Sequence, residues 1–185
     1  MIEFIRFGVA RIIGLVVALL LCHGTGWGQE SQPEYKFKAA YLYHFAQFVE
    51  WPAAAFAAPN SPLVIAVLGQ SPFGDELEQA FRDKNINGHP LLVRAIHSPA
   101  EALTNCHVLF ISSSEKKRLP EILSALRGAS VLTVGETETF TETGGMIKFV
   151  SVEKKIKFQI NDEAAKSAGL TVRAKLLNLA LKPPA

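Results

Sequence analysis

At 185 residues, with 19 basic and 17 acidic side chains and a formal charge of +2, the chain has no charge excess of the kind that drives binding to nucleic acid or to an anionic membrane surface. Its length suits one compact domain with a single core, and no linker or internal repeat suggests a second. Beyond Cys22 the only cysteine is Cys106, so an internal disulfide is excluded once a leader is removed, and the fold must rest on its core and hydrogen bonds.

The first segment has the three parts of an export signal: Arg6 and Arg11, an unbroken apolar run from Ile12 to Leu21, and then small residues. The run is shorter than the ~20 apolar residues that cross a bilayer as a helix, which argues against a retained anchor. Gly26-Trp27-Gly28 places cleavage after Gly28, giving residues 1–28 as signal peptide and 29–185 as one α/β domain in the periplasm. Leu19-Leu20-Leu21-Cys22 is a lipobox-like alternative in which the bulky Leu21 stands where a small residue is usual. Removing Arg6, Arg11 and Glu3 leaves 17 basic and 16 acidic residues, a formal charge of +1.

From Pro33 to Trp51 the spacing predicts a helix with Phe37, Tyr41, Phe45 and Phe48 on an apolar stripe, stopped by Pro52. Phe37, Tyr41 and Phe45 read as core. Leu42, Tyr43 and Trp51 widen the apolar arc beyond one packing face, which marks them as candidates for self-association. Leu63 to Leu68 is a strand buried on both faces and ended by Gly69, and a helix follows through Leu77 and Phe81 to about Lys84. Asn87-Gly88 turns the chain into a strand at Leu91 to Ala95, and Ser98-Pro99 starts a short helix. A strand from His107 to Ile111, a helix from Leu119 to Leu126 and a strand from Val131 to Val134 come next.

This alternation predicts an α/β fold, a Rossmann-like layered domain whose mostly parallel sheet is flanked by helices. Near the end the period drops to two. Ile147 and Phe149, then Ile156, Phe158 and Ile160, alternate with more polar residues around Glu153-Lys154-Lys155, which predicts an antiparallel hairpin at one edge and hence a mixed sheet. Asn161 caps a short helix ended by Gly169, and a last helix is expected from Val172 to Leu181.

Catalytic chemistry is hard to find along this chain. Gly69 and Gly74 have the spacing of a phosphate loop, but Asp75 and Glu76 stand where Lys and Ser or Thr are required and would repel a nucleotide. Cys106 and His107 are strand neighbours whose side chains point to opposite faces, so they cannot chelate one ion, and His44, His89 and His97 lack partners at ligand spacing. Cys106 reads as a small core residue. There is no Gly-x-Ser-x-Gly elbow around Ser112-Ser113-Ser114, and no acid, base and nucleophile set can be assembled, so neither an enzyme nor a cofactor is expected. Open α/β sheets collect ligands beyond the carboxyl ends of their strands, so Gly69, Gln70, Ser71, Ser112 and Ser113 form a possible small-ligand pocket, as in a sensor module serving a histidine kinase or other receptor.

Three stretches carry a resemblance: Tyr35-Lys36-Phe37-Lys38-Ala39-Ala40-Tyr41-Leu42-Tyr43-His44-Phe45 with Phe48-Val49-Glu50-Trp51-Pro52; Cys106-His107-Val108-Leu109-Phe110-Ile111; and Ile160-Asn161-Asp162-Glu163-Ala164-Ala165 with Ala168-Gly169-Leu170 and Leu176-Leu177. In order and spacing they resemble the YfiR-type periplasmic repressors. The resemblance implies a Rossmann-like mixed sheet, homodimerisation and a regulatory, non-enzymatic role. The best-known type inhibits an inner-membrane diguanylate cyclase through its periplasmic part, keeping cyclic di-GMP low, and is captured by an OmpA-like outer-membrane lipoprotein. With exposed apolar character, the likeness suggests Phe158, Ile160, Asn161, Leu170 and Lys175 as partner contacts. The chain departs from the type in lacking paired cysteines and in having Arg173 and Ala174 where small hydroxyl residues are common.

Overall fold

Apolar runs too short for helices become the middle of a sheet, and the segments between them supply its covering layers. In chain order the first elements are α1 (Pro33–Phe48), β1 (Val49–Glu50), a 3-10 turn at Ala53–Ala55, β2 (Leu63–Leu68), α2 (Glu76–Phe81), β3 (Asn85–Ile86) and β4 (His89–Ile96). Then come α3 (Pro99–Ala102), β5 (Val108–Ile111), a 3-10 stretch at Ser113–Arg118, α4 (Leu119–Ala125) and β6 (Leu132–Gly135). The chain continues through β7 (Ile147–Val152), β8 (Lys155–Ile160), α5 (Asp162–Ser167), β9 (Thr171–Val172) and α6 (Ala174–Leu177). This computed structural model describes residues 33–182; the export signal, its cleavage point and Cys22 lie outside them.

The seven-stranded sheet runs β3-β4-β2-β5-β6-β7-β8. Its five middle strands, β4 to β7, are parallel, and antiparallel pairs close both edges, β3 with β4 and β7 with β8. The fold is thus the mixed α/β sandwich that the alternating pattern predicts. Alternation along each strand separates two cores. Leu63, Ile65, Val67, Val108, Phe110, Leu132 and Val134 face the layer of α1, α2 and the C-terminal segment. Ala66, Leu68, Leu109 and Ile111 face Ala102 of α3 and Leu119, Ile122 and Leu123 of α4.

Two helix boundaries differ from expectation. The first helix stops at Phe48, because Val49 and Glu50 pair antiparallel with Val172 and Thr171 and the Phe48 carbonyl accepts the Arg173 N–H at 2.9 Å. The same pairing takes Val172 out of the last helix, which is reduced to Ala174–Leu177. Leu181 leaves it to donate its N–H to the Phe158 carbonyl on the open side of β8. A two-stranded contact between residues over a hundred positions apart has no local signature, so helical periodicity runs through it unchecked.

The stripe on α1 is also rotated. Its buried residues are Lys38, Ala39, Leu42, Phe45 and Ala46, whereas Phe37, read as core from its aromatic spacing, is 62% exposed. Lys38 turns inward to a carboxylate, and a lysine is what a hydrophobicity pattern assigns to solvent.

Asn161 caps α5 as expected: its Oδ1 accepts the Ala164 N–H at 3.0 Å, and its Nδ2 donates to the Thr141 carbonyl at 3.1 Å. It therefore fastens the helix and the loop before β7 together. Asn161→Ala is expected to cost about 1–2 kcal/mol, read as a lower urea midpoint with an unchanged slope.

Candidate functional site

The carboxyl ends of β2 and β5 bring Gly69 and Gln70 beside Ser112 and Ser114, which are joined by hydrogen bonds, while Gln70, Ser71 and Ser113 are exposed. Gln70 N–H donates to Ser114 Oγ at 3.0 Å, and Ser114 Oγ donates to Ser112 Oγ at 3.2 Å. Ser112 is buried and also accepts the Ser114 N–H, capping the 3-10 stretch. Gly69 has φ +89° and faces Ser114 and Glu115 so closely that a Cβ would collide with both. The hydrogen bonds tie the two strand-to-helix turns together. Ser114, which the sequence reading left out of the pocket, is their hub.

The suggested contact residues divide by burial. Phe158, Ile160 and Leu170 belong to the core beneath α1, with Phe158 only 3% exposed, so they cannot present an apolar surface. Alternation identifies the two faces of a strand but not which of them a helix covers. Phe158 meets Phe45 edge-on at 5.0 Å and Tyr41 at 5.5 Å. Asn161 is half-buried as a cap, and Lys175 is exposed with its ammonium 5.2 Å from the centre of the Phe48 ring. Of the self-association candidates, Leu42 is fully buried. Tyr43 is half-buried against Phe81 with the Lys84 ammonium over its ring, and Trp51 donates its indole N–H to the His107 carbonyl at 3.2 Å.

A different surface stands open. Between the start of α1 and the tip of the β7–β8 hairpin runs a cleft of about 580 Å³, lined by Pro33, Phe37, Tyr41 and Ile156 on its apolar side and by Glu34, Ser151, Lys154 and Lys155 on its polar side. Val152, 42% exposed, lies at the same hairpin tip. The tip is a two-residue turn at Glu153-Lys154, both with positive φ, so Lys155 pairs with Val152 rather than belonging to the turn. Lys154, Lys155 and Lys157 are all exposed, giving this end of the hairpin a basic character.

Next to the cleft a smaller hollow of about 240 Å³ is lined by Glu34, Tyr35, Lys38 and Glu136 among others. Glu136 directly follows β6, at the carboxyl end of the parallel strands. Lys38 is 4% exposed and is paired with both Glu34 and Glu136, the latter at 2.6 Å. Its ammonium lies 4.5 Å from the centre of the Tyr35 ring, and the Tyr35 hydroxyl donates to Glu136 at 3.2 Å. Burial and the Glu136 charge push the Tyr35 hydroxyl up to about 12, so it stays protonated and remains a donor. The arrangement binds the first helix to the sheet and closes one wall of the cleft.

Cys106 and His107 lie on opposite sides of the sheet, as strand geometry requires. Cys106 is buried in the α3–α4 core, its Sγ 3.2 Å from the Val108 carbonyl oxygen, and burial pushes the thiol up to about 12. A thiol so far from ionisation is a poor nucleophile. His107 is buried too, and desolvation holds its imidazole below the usual value. Among the described residues no group of three or more His, Cys, Asp or Glu is placed to hold a metal ion, and no helix is long and apolar enough to cross a membrane.

Among solved structures the chain is similar to a conserved domain protein from Vibrio cholerae biovar eltor, with 12% identity and a TM-score of 0.52 over 80% of this chain and 59% of that one. It is also similar to the ABC domain in complex with L-Trp from Streptococcus pneumonia, with 14% identity and a TM-score of 0.45 over 65% of this chain and 54% of that one. The chain thus spans less than two thirds of either structure's length, and the first likeness concerns the fold alone. No relative was found among functionally curated proteins. The family model described as YfiR/HmsC-like (DUF4154) matches residues 35–181, from the aromatic opening helix to the bridge that Leu181 makes beside β8, and the chain belongs to that family.

Proposed function

We propose that this chain is an exported, periplasmic regulator that binds the periplasmic part of an inner-membrane signalling enzyme, most simply a diguanylate cyclase, and holds it inactive so that cyclic di-GMP stays low. The family match over residues 35–181 carries this reading. An OmpA-like outer-membrane lipoprotein that captures the chain would release the enzyme. The protein acts by contact rather than by catalysis.

The cleft between α1 and the hairpin tip is the contact surface we assign to that partner. It joins an exposed Phe37 and the half-buried Tyr41 and Ile156 to Lys154 and Lys155. That combination suits a partner segment with an apolar anchor and flanking carboxylates, because desolvated apolar contact supplies affinity while opposite charge sets orientation and encounter rate. Glu34 is already paired with Lys38, so it does not cancel the lysines.

Deleting the chain is expected to raise cellular cyclic di-GMP several-fold, and unchanged nucleotide would refute the cyclase reading. Phe37→Ser combined with Lys154→Glu and Lys155→Glu, in a chain that keeps its native melting temperature, is expected to reproduce most of that rise. If nucleotide rises on deletion but not in the triple variant, the regulator stands and the cleft is the wrong surface.

A further inference from the structure

Three segments of the fold converge on His107, which immediately precedes β5. Its Nδ1 lies 3.0 Å from the Val64 amide nitrogen at the start of β2, and its Nε2 lies 3.1 Å from the Ala55 carbonyl oxygen. An amide N–H only donates and a carbonyl only accepts, so the ring is neutral with its proton on Nε2. One face stacks on Phe56 at 4.4 Å, and the other side of Phe56 stacks on His89 at 3.9 Å. Trp51 meets the imidazole edge-on at 6.1 Å and donates its indole N–H to the His107 carbonyl. Among the described residues the imidazole thus touches β2 and the connector of residues 51–62, which His89 also holds through the Ser61 carbonyl, while the His107 backbone pairs with β2 and with Leu132 of β6.

We propose that His107 is an acid-sensitive latch whose protonation at Nδ1 releases the Val64 end of β2, while the Nε2–H bond to Ala55 keeps the 51–62 connector on the ring. The added proton turns the acceptor into a donor aimed at the Val64 N–H. That hydrogen bond is lost, and two N–H dipoles then oppose each other in a buried site. The titratable side chain facing the ring is His89, across Phe56 from β4; Trp51, Ala55, Phe56 and Val64 carry no charge. Cys106 faces the other side of the sheet with a protonated thiol.

Burial is the main cause of the low imidazole value; the Ala55 bond works against it and His89 with it. The open form takes its proton near the free-histidine value of 6.5 and the latched form only at lower pH, so the open form binds more protons in between. The latch is therefore at full strength above 6.5 and weakens as pH falls below it, by at most about tenfold in the latching equilibrium per pH unit. An exported chain meets external acidity directly, which gives such a latch a signal to read.

Trp27 and Trp51 are the only tryptophans. Replacing Trp27 with Phe in the full chain makes Trp51 the sole indole beside the ring. Emission should fall in a single transition with its midpoint below 6.5 as the pH is lowered from about 8 to about 4.5, because imidazolium quenches a neighbouring indole. Over the same range, amide-exchange protection at Val64 should fall by up to about tenfold per pH unit. His89→Gln should keep the transition. His107→Asn should abolish it, since Asn supplies an acceptor that does not titrate. A flat native titration, or a transition that survives in His107→Asn, overturns the latch. If His107→Asn does not fold, Val64 exchange in the native chain decides alone, and constant protection overturns the proposal.

Discussion

Gly145→Ala is expected to destabilise the protein by about 3 kcal/mol or more, a large share of the total stability of a domain this size. The loop between β6 and β7 wraps around Phe140, whose ring is fully buried between Gly135 and Gly145. A Cβ on Gly145 would fall inside Cε1 and Cδ1 of that ring and 2.8 Å from the Phe140 carbonyl oxygen. The ring cannot retreat, because its opposite edge already lies against Gly135 in the same way. Backbone cannot yield easily either, since Gly145 N–H donates to the Phe140 carbonyl at 2.8 Å. The chain must then expel the ring or shift the loop, at a cost comparable to losing a buried phenylalanine. Urea unfolding should show the loss as a lower midpoint. In a Phe140→Ala background the same glycine substitution should cost clearly less, because the ring contacts are gone and only the one with the residue-140 carbonyl oxygen remains. A native midpoint for Gly145→Ala would contradict this packing.

Lys38→Met should cost about 3 kcal/mol, although it replaces a buried charge with an apolar side chain of similar length. The loss comes from Glu136, which is mostly buried and, among the described residues, would keep only the Tyr35 hydroxyl as partner. Glu34 is closer to solvent and can rehydrate, so it adds less. Removing both charges with Lys38→Met and Glu136→Leu should restore much of the stability, because the desolvation cost of the pair disappears with the pair. Thermal unfolding of the two single variants and the double variant tests this. A neutral Lys38→Met would mean that the pair does not hold α1 on the sheet. Since this cluster borders the cleft, the double variant, which should fold, also tests the proposed contact surface: a rise in cyclic di-GMP at native stability would tie the cleft wall to the proposed inhibition.

The residues that the sequence pattern located best are those whose environment is set within one element. Leu63–Leu68 is a strand with all six residues buried, as its unbroken apolar run required. The switch to period two placed the β7–β8 hairpin, Asn87-Gly88 supplied a turn with two positive φ angles, and Asn161 capped its helix. Each depends on backbone geometry or side-chain alternation over a few residues. The family likeness rested on stretches of the same kind and is shown by the match over residues 35–181.

Pattern alone failed where a partner distant in the chain sets the outcome. Lys38 is buried because Glu136 waits 98 residues further along, and that rotation of α1 leaves Phe37 outside and Leu42 within. Strand β1 exists because β9 reaches it, and Ser112 and Ser114 are tied to the end of β2 because Gln70 N–H and Ser114 Oγ meet across 44 residues. By itself, then, the sequence determined the layered α/β class, the main strands and the absence of a charge excess, since composition and short-range periodicity are properties of the unfolded chain as well. Only the tertiary structure decided which apolar residues face solvent, and so where a partner can dock: exposure depends on which elements cover one another, and the energy that selects that arrangement lies in contacts between residues far apart in the chain.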